Sequence, residues 1–475
     1  MPASSSEAVR IAVLADSDTR WKWGALTARR ITAAPAEPTG SAAGPTTGPA
    51  AGSTGSAAEP TTGSAAEPTT GSAAEPTSGS AAEPTGFVLR GRATPTARQL
   101  AETGASTAAP REVTGAEFLR EVRDAEARGE RYDVIVLALV GGTVRAVLQG
   151  LADLGLARRP VVVTGYVGVV YEKLADGLLL RHGADVVLAN SRHDADRFRA
   201  VYEGVGAGAE SVVEAALPFL GGAPHRPEEG RDTLVFAAQP SVPVTRAERA
   251  YVLERLVRHA RLHPEREVLL KLRSKPGEHT THLEEHPYQR LVRDLDPPAN
   301  FRLVYGHMGE VLDRTDLLVT VSSTAALEAL HRRIPTAILT DCGVREVNGN
   351  HHFIGSGLLT SFDRLDRGEA PEPDEEWLAR QGVAAEGSYD SAFDAARERV
   401  AKLLALPELP PISPYYTAET APGYLPGILA RHRLDVTAPP ARDSGLRRIV
   451  REAARGAYRH GVQRVAPVVR RLGEL

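Results

Sequence analysis

Apolar residues fall along this chain in short β-rich runs separated by stretches with helical spacing, and the alternation occurs in two series. The first predicts strands at 11–15, 87–90, 133–139, 160–164, 185–189 and 211–216. The second predicts strands at 233–238, 267–272, 301–304, 317–321 and 335–339. Such alternation is the sign of a parallel, doubly wound α/β sheet. Two series predict two Rossmann-like domains, 8–222 and 231–435, flanking a cleft and joined by a Gly-, Pro- and charge-rich linker at 221–231. In open α/β sheets ligands bind beyond the carboxyl ends of the strands, so the residues that follow each strand are the candidates for chemistry.

The first series is interrupted at 33–85, where Ala, Gly, Pro, Thr and Ser leave almost no large apolar side chain. Four copies of Gly-Ser-Ala-Ala-Glu-Pro-Thr recur there at an eight-residue period between Gly55 and Thr85. A segment without apolar residues does not offset its own ordering entropy, so it reads as a disordered low-complexity insertion in the first domain. With no face to bury, the copies do not make a solenoid. At the other end, 442–475 reads as a basic amphipathic tail, with Arg447, Arg448, Arg451, Arg455 and Arg459 set against Ile449, Val450, Ala454 and Tyr458. Basic amphipathic helices bind anionic membrane surfaces, and a plain solvated helix is the competing reading.

Composition narrows the classes further. With 475 residues, 42% hydrophobic and 24% charged, the chain is globular and large enough for two cores. A net charge of −4 leaves no nucleic-acid footprint on the whole molecule. The single cysteine, Cys342, excludes an internal disulfide framework and a Cys-based zinc site, and it suits a reducing compartment. No apolar run reaches the ~20 residues that span a bilayer, and no secretory signal pattern opens the chain. The expected location is cytoplasmic, with the tail offering peripheral attachment to the inner face of the plasma membrane.

Four groups of residues carry candidate chemistry. Gln239-Pro240-Ser241 follows the strand at 233–238, either as a Pro-initiated turn or with Gln239 hydrogen-bonding a nucleotide or sugar. Lys271-Leu272-Arg273-Ser274-Lys275 places three cations within five residues. If the segment stays extended, Lys271, Arg273 and Lys275 share one face. That face suits a pyrophosphate or sugar phosphate, because arginine offers a planar fork and lysine a point charge; a solvated basic loop is the plainer alternative. Ser322-Ser323-Thr324 closes the strand at 317–321 just before a run of good helix formers. Hydroxyls and backbone N–H groups at a helix start receive phosphates, although ordinary N-capping needs only one of the three. Glu328 lies one turn deeper, on the side of Thr324.

The fourth group lies in the N-terminal half. Asp16, Ser17, Asp18, Arg20, Trp21, Lys22 and Trp23 crowd the end of the first strand, and Tyr166, Tyr171, Glu172, Lys173 and Asp176 follow the strand at 160–164. Trp21, Trp23 and Tyr166 beside carboxylates suit a sugar acceptor, with one carboxylate as general base; Glu172 and Lys173 also fit a charged helix surface. His279, His282 and His286 alternate with glutamates, which fits a solvated polar stretch better than a metal site. No Asp-x-Asp follows a strand of the second domain, and no metal is assigned.

Three stretches, taken in order and spacing, resemble the bacterial capsule-polysaccharide synthesis transferases, including those that use CMP-activated ulosonic acids. They are Val235-Phe236-Ala237-Ala238-Gln239-Pro240, Leu269-Leu270-Lys271-Leu272-Arg273-Ser274-Lys275-Pro276, and Val319-Thr320-Val321-Ser322-Ser323-Thr324-Ala325-Ala326-Leu327-Glu328-Ala329-Leu330 with Ile334-Pro335. Polysialyltransferases and polyol-phosphate transferases look similar there. The resemblance covers residues 232–341, and the first domain is similar mainly to uncharacterised actinobacterial proteins read as glycosyltransferases.

The resemblance implies the GT-B architecture and a donor side of the cleft formed by Gln239, Lys271, Arg273, Ser322, Ser323, Thr324 and Glu328, the last on the ribose. Lys275 stands where the family carries the histidine of a His-Pro pair; it can neutralise a leaving phosphate, but it shuttles no proton at neutral pH unless its pKa falls. Asp176-Gly177 is similar to the acidic-Gly motif that supplies the base in bacterial sialyltransferases; the expected base is a carboxylate of the first domain, Asp176, Glu172 or Asp16. The implied activity is metal-independent and cofactor-free transfer of a sugar, a CMP-activated ulosonic acid among the donors, to a glycan or lipid-linked acceptor in a cell-surface glycopolymer. Transfer of polyol phosphate from a CDP-polyol and a non-catalytic role in a membrane polymer-synthesis complex are the alternatives.

Overall fold

The computed structural model describes residues 9–32, 83–91, 93–105, 108–169, 174–275, 278, 284–383 and 389–432. The repeat insertion up to residue 82, Tyr171, Glu172, Lys173, His279, His282 and the tail 442–475 lie outside the described residues. The last residues of the expected insertion belong to the fold instead: Glu83 accepts two hydrogen bonds from Arg29, at 2.9 and 2.8 Å, and Thr85 begins a strand.

The first sheet contains β1 Ile11–Ala15, β2 Thr85–Leu89, β3 Arg111–Val113, β4 Val134–Ala138, β5 Val161–Gly165, β6 Val186–Ala189 and β7 Val212–Glu214. Its strands are parallel in the order β3-β2-β1-β4-β5-β6-β7. The second contains β8 Thr233–Ala237, β9 Glu267–Lys271, β10 Phe301–Val304, β11 Leu317–Thr320, β12 Thr336–Leu339 and β13 Leu359–Thr360, parallel in the order β10-β9-β8-β11-β12-β13. The central strands β1, β4, β5 and β8 are buried at every position, as strands are when helices cover both faces of a sheet. Alternation sends Val134, Val136 and Ala138 of β4 into one core cluster with Val13, and Ile135 and Leu137 into the opposite one with Leu14.

Each sheet reverses its strand order once. After β1 the chain steps outward to β2 and β3, then crosses to the far side of β1 as β4; β8, β9, β10 and β11 repeat the move. The crevice at the carboxyl ends therefore opens between β1 and β4 and between β8 and β11, where loops on either side of the reversal diverge. Residues from both crevices line one cleft of about 990 Å³, so the two domains face each other across it.

The C-terminal part departs from the expected domain boundary, which kept residues 231–435 together. Phe393, Ala396, Val400 and Leu403, on or beside the helix Asp394–Leu404, join Ala25, Ala28 and Ile31 in a core cluster of the first domain. Arg397 Nε donates to the Arg30 carbonyl at 2.8 Å. Further on, the buried Arg145 donates to the Tyr416 carbonyl at 2.9 and 2.7 Å, and the helix Leu425–His432 lies against the helix Gly141–Asp153. The chain thus crosses between the domains a second time. No helix among the described residues is long and apolar enough to cross a membrane.

Trp21 and Trp23, expected to greet an acceptor, are core residues at 2% and 0% exposure. The helix Asp18–Thr32 turns their indoles inward, where glycines make room for them. A Cβ on Gly165 would stand 2.8 Å from Trp23 Cζ2, and one on Gly86 would collide with Trp21. Trp23 Nε1 donates to Asn190 Oδ1 at 3.4 Å, giving the buried N–H a partner. Trp23→Ala is expected to destabilise the protein by about 3–5 kcal/mol in denaturant titration, whereas a surface tryptophan would change little.

Candidate functional site

The carboxyl ends of the strands supply the walls of the cleft. From the first domain come Ser17, Asp18, Arg20 and Lys22 after β1, Glu102 and Thr103 from the segment between β2 and β3, and Tyr166 and Gly168 after β5. From the second come Gln239 after β8, Lys271 to Arg273 at the end of β9, His307 after β10, and Ser322, Ser323, Thr324 and Glu328 after β11. A Cβ on Gly168 would stand 2.6 Å from Thr324 Oγ1, so glycine permits the two domains to approach closely there.

Several donor-side candidates are engaged with one another. Gln239 Oε1 accepts from the Ser322 N–H at 3.0 Å while its Nε2 donates to Ser322 Oγ at 3.1 Å, and Ser322 Oγ donates to the Asn348 carbonyl at 2.6 Å. Their side chains brace the loops after β8 and β11. The helix Ala325–His331 begins tightly: the Ala325 N–H donates to Ser323 Oγ at 3.3 Å, and the Ala326 and Leu327 N–H groups donate to the Ser323 and Thr324 carbonyls at 2.9 Å each. The N–H groups of Ala325, Ala326 and Leu327, expected to await a phosphate at this helix start, therefore already have acceptors.

Lys271 is the last residue of β9 and is nearly buried, with its ammonium donating to the Leu272 carbonyl at 2.9 Å. Burial, which disfavours the charged form, brings its pKa down to about 8, and Arg273 and Arg98 push the same way against Glu102 and Glu328. Arg273 reaches across the cleft to Asp18 at 2.5 Å and also hydrogen-bonds Thr19. Burial would raise the Asp18 pKa, but the charge and hydrogen bond of Arg273 overcome it and hold the carboxyl below its ordinary value. A second pair crosses nearby, with Lys22 Nζ at 3.4 Å from Glu328 Oε2 and 4.8 Å from the centre of the Phe219 ring.

The remaining candidates separate from this group. Lys275 is exposed and outside the cleft lining, because its N–H donates to the Glu278 carboxylate at 2.7 Å and the extended alternation ends at Arg273. Asp16 also lies outside the lining, accepting from Arg20 Nη1 at 2.8 Å and from the Val140 N–H at 3.0 Å. Asp176 turns towards the C-terminal segment, where it accepts from the hydroxyls of Tyr416 at 3.0 Å and Tyr424 at 3.1 and 3.0 Å. Tyr166 does line the cleft; its hydroxyl donates to the Leu174 carbonyl at 3.4 Å and burial raises its pKa. Among the described residues no group of three or more His, Cys, Asp or Glu is arranged to hold a metal ion.

Two residues that sequence reasoning passed over belong to the site. Arg249 is 1% exposed, and its guanidinium donates to the carbonyls of Gln239 at 3.0 Å, Pro240 at 3.3 Å and His286 at 2.7 Å, and to Glu284 at 2.5 Å. It fixes the Gln-Pro turn from behind. His307 stands three residues after the end of β10, a position that the strand-end rule applied to β10 would have singled out.

Two Rossmann-like domains meeting over a cleft in this way make the protein a GT-B-type α/β chain. Residues 69–403, more than half of the 475, match the family described as "Putative glycosyltransferase (DUF6716)", and the protein belongs to that glycosyltransferase family. None of the curated proteins matches the sequence. Among solved structures, S. aureus MnaA with UDP is similar at 12% identity and a TM-score of 0.46, covering 85% of this chain and 99% of that one. A UDP-N-acetylglucosamine 2-epimerase is similar at 11% identity and 0.47, covering 85% and 98%. The wall teichoic acid polymerase TagF is similar at 13% identity and 0.33, covering 63% and 77%. Likenesses at these identities concern the fold alone.

A double-mutant cycle on Asp18→Asn and Arg273→Gln is expected to give a coupling of about 0.5–3 kcal/mol in unfolding experiments. Because the Asp18 pKa is lowered by folding, that coupling is present above the unfolded carboxylate value near ~3.9 and is lost as pH falls through the lower folded value. A coupling unchanged well below that range would contradict the pairing.

Proposed function

We propose that this glycosyltransferase moves a CMP-activated ulosonic acid, without a metal ion, from its nucleotide to a growing cell-surface glycopolymer. The observation that carries the reading is the convergence of Lys271 and Arg273 at the end of β9, opposite the first-domain wall, in a cleft large enough for a nucleotide-sugar. Arg273 is already paired with a carboxylate, Asp18, and a donor phosphate would replace that partner in kind. Lys271 would supply a preorganised charge where negative charge develops on the departing phosphate. Gln239 and Arg249 would hold the nucleotide-facing turn rather than touch the base, and Glu328 would meet the ribose after exchanging Lys22. Tyr166 remains the candidate acceptor contact on the first-domain wall. The C-terminal tail would bring the cleft to an anionic membrane that carries the acceptor.

Calorimetry with CMP, CDP and UDP in the presence of EDTA tests the donor. CMP is expected to bind most tightly with EDTA having no effect; a preference for CDP with turnover of a CDP-polyol would overturn the proposed donor. Since Lys271 is charged below a pKa of about 8, nucleotide affinity is expected to fall as pH rises through that value. Lys271→Ala is expected to remove this pH dependence and to weaken binding by about 1.5–3 kcal/mol, the range for a hydrogen bond to a charged group.

A further inference from the structure

His307 has the environment of a proton acceptor. It lines the cleft after β10 and precedes the short helix Met308–Leu312 without capping it through its side chain. Its ring sits between two glycines: a Cβ on Gly309 would stand 2.8 Å from its Cε1, and one on Gly104 of the opposite domain 3.5 Å from its Nε2. Two other histidines are tied down, His225 of the linker to Asp316 at 3.0 Å and His259 of the second domain to Asp366 at 2.8 Å. Among the described residues no group hydrogen-bonds either ring nitrogen of His307, although the ring is half-buried.

We propose that His307 is the general base of the transfer, taking the proton of the acceptor hydroxyl. This rests on the transferase reading above. The acceptor oxygen forms its bond to the anomeric carbon as the bond from that carbon to the donor phosphate oxygen breaks. The phosphate leaves with the electron pair towards Lys271 and Arg273, and the hydroxyl proton moves to an imidazole nitrogen and later to water. The groups facing the ring suit both of its states. Burial and the charges of Lys22 and Arg332 lower its pKa, so it is neutral and able to accept a proton at pH 7, while Glu328 and Glu310 face the imidazolium once it forms. Glu102, on the segment that carries Gly104, is occupied by Arg98. Of the first-domain carboxylates expected to take the proton, Asp16 and Asp176 lie outside the cleft lining.

Nucleotide affinity and the pH profile of turnover, measured in the wild type, His307→Asn and His307→Ala, test the assignment. In His307→Asn, affinity is expected to stay within about twofold while turnover falls by about 10²–10⁴, the usual worth of general acid–base catalysis. The wild-type rate is expected to fall at acid pH, below the ordinary histidine value of ~6.5, as the base becomes protonated. That limb should be missing in His307→Asn, and added imidazole should restore part of the rate of His307→Ala, which a purely structural role would not allow. If His307→Asn turned over at the wild-type rate with the same acid limb, and imidazole rescued nothing, the assignment would be overturned and the transferase reading left standing. A wild type that binds nucleotide but transfers no sugar would overturn both.

Discussion

The central strands of both sheets are covered by helices on their two faces, so the side chains along β4, β5, β8 or β11 are apolar or fully enclosed. A polar side chain on such a strand reaches water or a ligand only by standing at its end. All the chemistry of the cleft obeys this constraint. Lys271 is the last residue of β9, Gln239 follows β8, Ser322 follows β11, Asp18 follows β1 and Tyr166 follows β5. The reversal of strand order in each sheet then decides which loop ends diverge and which stay packed, and the two diverging pairs form one cavity.

Charge across that cavity is balanced in pairs of opposite sense. The first domain presents a carboxylate, Asp18, to a cation of the second, and a cation, Lys22, to a carboxylate of the second. All four side chains are partly buried, where an unpaired charge is costly and an exchange of one anion for another is not. Under the proposed function, a phosphate arriving at Arg273 would release Asp18, and the local balance would shift towards negative charge on the first-domain wall. Arg249, by contrast, takes part in no exchange, because its acceptors are fixed backbone and side-chain oxygens in the wall itself.

The interior strands were legible from apolar runs because burial on both faces leaves nothing else for them to be. Two of the four edge strands, β7 and β10, were legible as well, but the other two were not: β3 is Arg-Glu-Val with two exposed positions and β13 has two residues, and neither presents an apolar run. The motif residues Lys271 and Arg273 were placed in the cleft by position at or after a strand end, whereas Lys275, whose N–H donates to Glu278, lies outside the lining. Trp21 and Trp23 misled because tryptophan beside charged residues suggests a surface. What turned them inward was the space left by Gly86 and Gly165, which lie 65 and 142 residues further along the chain (86 − 21 and 165 − 23). His307 carried no motif, and its significance arises from Gly104 in the other domain.

The second crossing of the chain has a mechanical meaning. The domains are joined by the segment between β7 and β8 and again by the segment between the helix Glu375–Arg380 and the helix Asp394–Leu404. Because the latter helix is seated in the first domain's core, the second attachment is anchored rather than loose. A body tethered at one point can swing, tilt and twist, whereas a body tethered at two points keeps chiefly rotation about the line through them. Any opening and closing of the cleft would thereby be reduced towards a single degree of freedom, and closure would return Asp18 and Lys22 to the same partners.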